Sequence, residues 1–344
     1  MSLPVLQSRP THKLFPLLRS ETSRIFHRRL LRVFALLFFA GIILVSTIAF
    51  FTHRSMSGST AEELQNNQAE QQFFFDQCTA RQDPDSTRQR CGPDPSSQPL
   101  SNFDYNENKQ YRAKEMLPIS VLATVMAAAG IAFIVGASSG GAEWSSRSMT
   151  LQLLWEPRRL RLLAIKWLGL VIVMLAVTLL ALALAVGLAA LTSSVRGTWD
   201  GHLPSEFGDQ TLWPAITSMA GRGLILVAIA ATIGYAIAIL VRNTGASLGA
   251  AFVYFAVVET AIGLALLKFG PEPYLLRGNV VSFMLPGGLD LPGRQLSQAE
   301  IDPRNYSETV NVHVSNARAL LTLLIYTTLL ALPAAWSFSR RDVG

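Results

Sequence analysis

Two cysteines in the stretch CTARQDPDSTRQRC are the only cysteines in the chain. Cys78 and Cys91 could form a disulfide, or they could serve as a metal-binding or redox pair. No histidine lies near them in the sequence, and two thiols alone do not complete a metal site. The residue types favour a structural disulfide, which would stabilise the folded segment by about 3 kcal/mol.

Two charged residues, Arg222 and Glu259, interrupt long apolar segments. Charge inside a bilayer usually faces a partner or an aqueous pathway. We favour a pair that ties two neighbouring helices together. A role at a substrate site or gate is the alternative, and Arg222 reaching the headgroups on its own is another.

The chain carries no recognisable motif for catalysis or nucleotide binding. Its histidines, at positions 12, 27, 53, 202 and 313, lie outside the apolar segments, which argues against an intramembrane enzyme. The Gly-rich stretch GASSGGAEW lacks the Lys of a phosphate-binding loop. We therefore expect a protein that is not an enzyme, with no cofactor and no metal site of its own.

The elements that must position these residues are apolar helices. The chain has 344 residues, 50% of them hydrophobic and only 15% charged, whereas soluble domains carry about 25% charged residues. Because a bilayer core needs about 20 helical residues, the apolar runs predict an all-α polytopic membrane protein with six transmembrane helices. The predicted spans are 33–51, 117–137, 162–191, 219–241, 245–267 and 319–338.

Positive charge predicts the orientation of these spans. If both termini are cytoplasmic, the cytoplasmic side carries fifteen Lys and Arg residues against four acidic residues. These lie in segments 1–32, 138–161, 242–244 and 339–344, with Lys166 counted as well. The other side then carries thirteen Lys and Arg residues against eighteen acidic residues, in segments 52–116, 192–218 and 268–318. This asymmetry predicts cytoplasmic N and C termini, and it fits a membrane protein better than a nucleic-acid-binding one. High Ala, Leu and Arg usage suggests a bacterial plasma membrane.

Two predicted cytoplasmic segments are amphipathic. The basic segment 1–32 predicts a helix in the headgroup layer, with lipid as its partner. In the loop GAEWSSRSMTLQLLWEPRRLRLLAIK, we expect Gly136–Gly141 to be a flexible joint and residues 143–155 to form a short helix. Glu143 and Arg147 stand four positions apart there, in the favourable acid-first order. A helix that only rests on lipid is the alternative interpretation.

Two long segments are predicted to be extracytoplasmic. Residues 52–116 predict a small cap with a helix around Ala61–Phe75. Residues 268–318 begin with a moderately apolar stretch that Pro and Gly interrupt, Pro273–Pro292. It could dip into the outer leaflet as short helices, or it could be an ordinary surface loop.

Taken together, the six spans, the basic helix before the first span, the loop at Gly141–Lys166 and the closing FSRRDV resemble the membrane subunit of a type-2 ABC exporter. The resemblance covers nearly the whole chain, and the loop is its most specific part. It implies a type-2 ABC exporter-like permease fold, in which the loop is a coupling helix that enters a cleft of a separate cytoplasmic ATPase. It further implies that Lys13–Leu31 is a connecting helix and that Pro273–Pro292 caps the exit.

Carried over by position, five residues would face the ATPase: Glu143, Trp144, Arg147, Leu151 and Leu154. The resemblance also implies two ATPase copies, which bind ATP and Mg²⁺, and a second copy of the permease, giving a homodimer. A membrane assembly or scaffold protein that does not transport, and that docks through its extracytoplasmic cap, is the alternative function.

Overall fold

The computed structural model of the chain describes residues 14–53, 61–80, 94–98, 111–146, 148–149, 152, 158–199, 203, 207, 211–266, 269–295 and 309–340. Within them, six helices are long and apolar enough to cross a membrane, which confirms the six predicted transmembrane helices. They are α2 (Arg29–Thr52), α4 (Ala113–Ser145), α5 (Arg159–Arg196), α6 (Leu212–Val241), α7 (Thr244–Ala265) and α9 (Asn316–Arg340).

Three further helices of eight or more residues lie beside these spans in the described part of the chain. They are α1 (Leu14–Phe26), which precedes the first span, α3 (Ala61–Ala80) and the short α8 (Leu276–Met284). The central part of α7, Tyr254–Ile262, is π-helical. One 3₁₀ turn, Pro95–Ser97, follows α3, and another, Glu272–Tyr274, precedes α8.

Two small sheets complete the described structure. Strand β1 (Tyr111–Arg112) pairs in parallel with β2 (Gly197–Thr198). Strands β3 (Leu289–Gln295) and β4 (Thr309–Val314) form an antiparallel ladder, in which Asp290 stands opposite His313. The segment Pro273–Pro292 thus contains a short helix followed by the start of a strand, and the sequence did not predict the strand.

The spans run alternately up and down, so the bundle has two ends. One end holds α1, which packs on α5, together with the end of α4 and the start of α5. A Cβ on Gly141 of α4 would there contact Thr244 of α7. We call this end the α1 end. At the other end, β1 and β2 lie beside the start of α4 and the end of α5, and α8 packs on α6 and α9. We call this the α8 end.

The Gly-rich stretch GASSGG is part of an unbroken helix. Helix α4 continues through it to Ser145, so the predicted joint at Gly136–Gly141 is wrong. A Cβ on Gly136 would lie 2.4 Å from the carbonyl oxygen of Ala231, and one on Gly140 would lie 2.9 Å from Ala238 Cβ. Small residues here let α4 approach α6 closely, and this packing outweighs the low helix propensity of Gly.

The buried core consists of two hydrophobic clusters, one toward each end of the bundle. The cluster at the α8 end includes Leu117, Met219 and Met284. The cluster at the α1 end includes Leu31 and Phe338. Large apolar side chains on the outside of the spans, such as those of α2, are exposed, as expected for surfaces that contact lipid.

Candidate functional site

A cluster of charged side chains is buried at the α1 end, where α4 ends and α5 begins. Glu143 is its centre: Arg28 Nη2 donates to Oε1 over 2.7 Å, and Lys166 Nζ lies 2.8 Å from Oε2. Glu21 Oε1 lies 3.6 Å from the same Lys166 ammonium. We call these four residues the Glu143 cluster. Their formal charges, two positive and two negative, cancel.

Apolar contacts of α1 bring these charges together. Ile25 is buried, and its Cδ1 lies 3.6 Å from the position that a Cβ on Gly169 of α5 would take. Helix α1 therefore packs across α5, with Glu21 facing Lys166. Arg28 has an extended backbone in the two-residue link between α1 and α2, which leaves its side chain free to reach Glu143.

Burial makes the pairing of these charges obligatory. Glu143 is 5% exposed and Lys166 is 3% exposed. A buried carboxylate or ammonium without a partner is strongly unfavourable, so each fixes the position of the other. The cluster consequently joins α1, the start of α2, the end of α4 and the start of α5 into one unit.

Trp144, the next residue, joins the end of α4 to two further elements. The guanidinium of Arg242 lies 4.3 Å from the centre of its ring, and Phe338 of α9 packs edge-on with 6.1 Å between ring centroids. Arg242 adopts a left-handed conformation with φ of 58° between α6 and α7. Asn243 beside it accepts a hydrogen bond from Ala246 N and so caps α7.

At the α8 end, Arg222 and Glu259 each bind α8 and do not bind each other. Glu259 Oε1 accepts hydrogen bonds from Leu276 N at 2.7 Å and from the Tyr254 hydroxyl at 2.8 Å. Arg222 Nη1 donates to the carbonyl oxygen of Leu285 at 2.9 Å. The predicted direct pair is therefore wrong: the end groups of a short helix, which lack partners within it, take up both charges.

A family model described as "ABC-2 family transporter protein" matches residues 17–343. The chain belongs to the ABC-2 transporter family. Comparison with curated proteins finds no match. Membership confirms the resemblance to a type-2 ABC permease. It makes the chain a multi-pass membrane component of a transporter, not itself catalytic, that partners with an ABC ATPase.

Of the five residues predicted to face the ATPase, the structure describes two. Glu143 and Trp144 lie at the end of α4, and both make their contacts within the permease. Arg147, Leu151 and Leu154 lie outside the described residues. The ATPase contact of all five stays a prediction.

The permease residues that sequence reasoning missed are the partners of Glu143. Arg28 and Lys166 were assigned only to anchoring the chain and to orientation. A signal existed, since Lys166 is a lone charge just inside a long apolar run, and such a charge needs a partner.

The remaining predicted site residues concern disulfide and metal chemistry. Cys78 lies near the end of α3, and Cys91 lies outside the described residues, so their pairing stays a prediction. No group of three or more His, Cys, Asp or Glu side chains that could hold a metal ion occurs in the part of the permease that the structure describes.

Proposed function

We propose that the chain is the permease subunit of an ATP-driven exporter and forms the transmembrane pathway as a dimer of two copies. Both termini, and with them the α1 end, face the cytoplasm of a bacterium, across its plasma membrane. A separate ATPase, in two copies, binds ATP and Mg²⁺ and drives the permease through residues 143–155, which we call the coupling segment.

The Glu143 cluster is the observation that carries this proposal. A segment that receives force from a partner can move a transmembrane bundle only if the end where it joins the bundle is attached to the helices that must move. The coupling segment leaves α4 at the point where Glu143 and Trp144 bind the α1–α2 link, α5, α9 and the α6–α7 turn. Glu143 and Trp144 thus anchor the segment, while Arg147, Leu151 and Leu154 provide the contact with the ATPase.

The coupling role is tested by co-purification with the ATPase. Reversing the charge of Arg147 together with Leu151→Glu should abolish recovery of the ATPase while membrane insertion is retained. Arg340→Glu is the matched control, because it reverses an exposed charge at the same end of the bundle. Full recovery of the complex with the double variant would reject the coupling role.

The orientation has its own test in intact cells, using a thiol reagent that cannot cross the membrane. Ser145 is exposed at the α1 end and Phe73 is exposed on α3. In a background with Cys78 and Cys91 replaced by Ser, Phe73→Cys should react from outside. Ser145→Cys should react only after the cells are opened. The reverse pattern would place the coupling segment on the wrong side for an ATPase.

A groove between α2, α4 and α5 supports an apolar substrate. It has a volume of about 350 Å³. Most of its lining is apolar, including Phe38, Ile42 and Ala127, and the hydroxyls of Ser120 and Thr124 bond back to carbonyl oxygens of their own helix. A polar substrate would find few free donors or acceptors there, whereas an acyl chain or an apolar drug would be suited to it.

A further inference from the structure

Helix α8 is held at its N-terminal end by a carboxylate from another helix. Besides the bond from Leu276 N, Glu259 accepts one from Arg277 N, at 3.2 Å to Oε2. These are two of the amides that a helix leaves without partners at its start. Negative charge at this position also interacts favourably with the helix dipole.

The C-terminal end of α8 is held by donors from two different spans. Arg222 of α6 donates to the carbonyl oxygen of Leu285. Asn316 of α9 donates through Nδ2 to Ser282 O at 2.8 Å and to Leu285 O at 2.5 Å. A cation near the last carbonyls is the favourable sign for this end of a helix.

At the α8 end, helix α7 has little other attachment to the rest of the bundle. Among the positions of α7 whose burial the structure describes, only Ser247, Glu259 and Gly263 are buried. Glu259 is 2% exposed, whereas Phe252 on the same helix is 73% exposed. A buried charge on a helix whose other side chains are mostly exposed requires a specific partner, and that partner is α8.

The π-helical segment of α7 contributes to this arrangement. Tyr254 and Glu259 stand five positions apart and are joined by a 2.8 Å hydrogen bond. The wider turn of a π-helix brings residues at this spacing to the same side. Such segments are rare and occur frequently at functional sites.

We propose that α8 is an electrostatic strut and that Glu259 and Arg222 are positioning residues for it. By capping opposite ends of α8, these two residues tie the half of α7 that lies at the α8 end to α6 and α9. A displacement of α7 relative to α6 must then either move α8 or break one cap. The assignment of this strut to the transport cycle rests on the proposed function, but the tie itself does not.

Hydrogen–deuterium exchange of the permease alone, in lipid nanodiscs, tests the N-terminal cap. Glu259→Gln should raise the exchange rate at Leu276 and Arg277 about tenfold or more, because hydrogen bonds to a charged acceptor are stronger than those to an amide. Glu259→Asp should give a smaller increase. Glu115→Gln removes an ion pair with Arg112 near the start of α4, and it should leave both rates unchanged.

A distance measurement tests the tie between spans, and a merely local role of Glu259 would not affect it. Spin labels at Thr217→Cys on α6 and Leu264→Cys on α7 occupy exposed positions at the α8 end. The native cysteines are replaced by Ser, and labelled permease is diluted with unlabelled copies. The distance distribution should broaden in both Glu259→Gln and Arg222→Gln, and it should stay narrow in Glu115→Gln.

Unchanged exchange at Leu276 and Arg277 in Glu259→Gln, or an unchanged distance distribution in both charge variants, would overturn the strut. Should Glu259→Gln fail to fold, Glu259→Asp supplies the same two measurements. Neither experiment contains the ATPase. Loss of the strut is therefore distinguishable from loss of the proposed transport function, which the co-purification experiment tests separately.

Discussion

The pairing of Glu143 with Lys166 makes a quantitative prediction about stability. Glu143→Gln keeps the shape of the side chain and one acceptor oxygen for Arg28, but it removes the charge beside Lys166. The Lys166 side chain is only 4% exposed, so its ammonium cannot recover hydration. Removal of one partner from a buried ion pair costs about 3–5 kcal/mol. Arg28 is 24% exposed and can turn to water, and Lys166 keeps Glu21 at 3.6 Å. We therefore expect the lower end of this range, about 3 kcal/mol.

A double-mutant cycle isolates this interaction. Lys166→Met removes the ammonium, and the double variant Glu143→Gln/Lys166→Met leaves neither member of this buried pair charged. We expect the double variant to be more stable than Glu143→Gln alone by about 1 kcal/mol or more. The assay is reversible unfolding in mixed micelles, followed by tryptophan fluorescence.

A control variant and the additivity of the cycle test this ion pair. Glu115→Gln breaks an ion pair between partly exposed side chains, 22% and 36% exposed, and it should cost no more than about 1 kcal/mol. If the changes in unfolding free energy of the two single variants instead sum to that of the double variant within about 0.5 kcal/mol, Glu143 and Lys166 do not interact in the folded permease. The cluster could not then anchor the coupling segment.

Three further predictions concern packing, pH and the groove. Gly136→Ala places a Cβ against the Ala231 carbonyl and should destabilise the permease by about 1–3 kcal/mol. Gly130→Ala, on the same helix with open space around it, should be neutral or stabilising; equal losses of unfolding free energy would contradict the close approach of α4 and α6. Burial raises the pKa of the Tyr111 hydroxyl in the folded permease. The stability that Tyr111 contributes is therefore fully present below the pKa of a tyrosine in the unfolded chain, near 10, and is lost as pH rises through the folded pKa. In Tyr111→Phe, the free energy of unfolding should not show this loss above about pH 10. Ala127→Trp should fill the groove and reduce transport of apolar compounds in vesicles without reducing recovery of the ATPase, and unchanged transport would exclude the groove as the substrate path.

The transmembrane part of the fold could be predicted because the bilayer imposes one simple length rule on apolar sequence. The helices still extend beyond the apolar runs: the third predicted span, 162–191, lies within a helix that runs from Arg159 to Arg196. Polar residues continue a helix once it has left the hydrocarbon, so hydropathy marks the membrane and not the end of the helix.

Sequence reasoning failed where tertiary contacts decided the local structure. The glycines of GASSGG have low helix propensity, and only the nearness of α6 shows why they are helical. Glu143 was paired with its neighbour Arg147 because periodicity detects only residues a few positions apart. Its partner Arg28 is 115 positions away in the sequence. Similarly, nothing local indicates that Glu259 binds the amides of α8.

The continuous α4 changes how force would travel in the proposed exporter. A lever on a flexible joint would lose displacement at the joint, whereas a helix of 33 residues, about 50 Å long, transmits it along its axis. Close contacts at Gly136 and Gly140 on α4, and at Gly234 on α6, hold these two helices together. A push at the coupling segment would therefore displace α4 and α6 as one body. If α7 moves relative to this body, the strut through Glu259 is the contact that the motion must strain first.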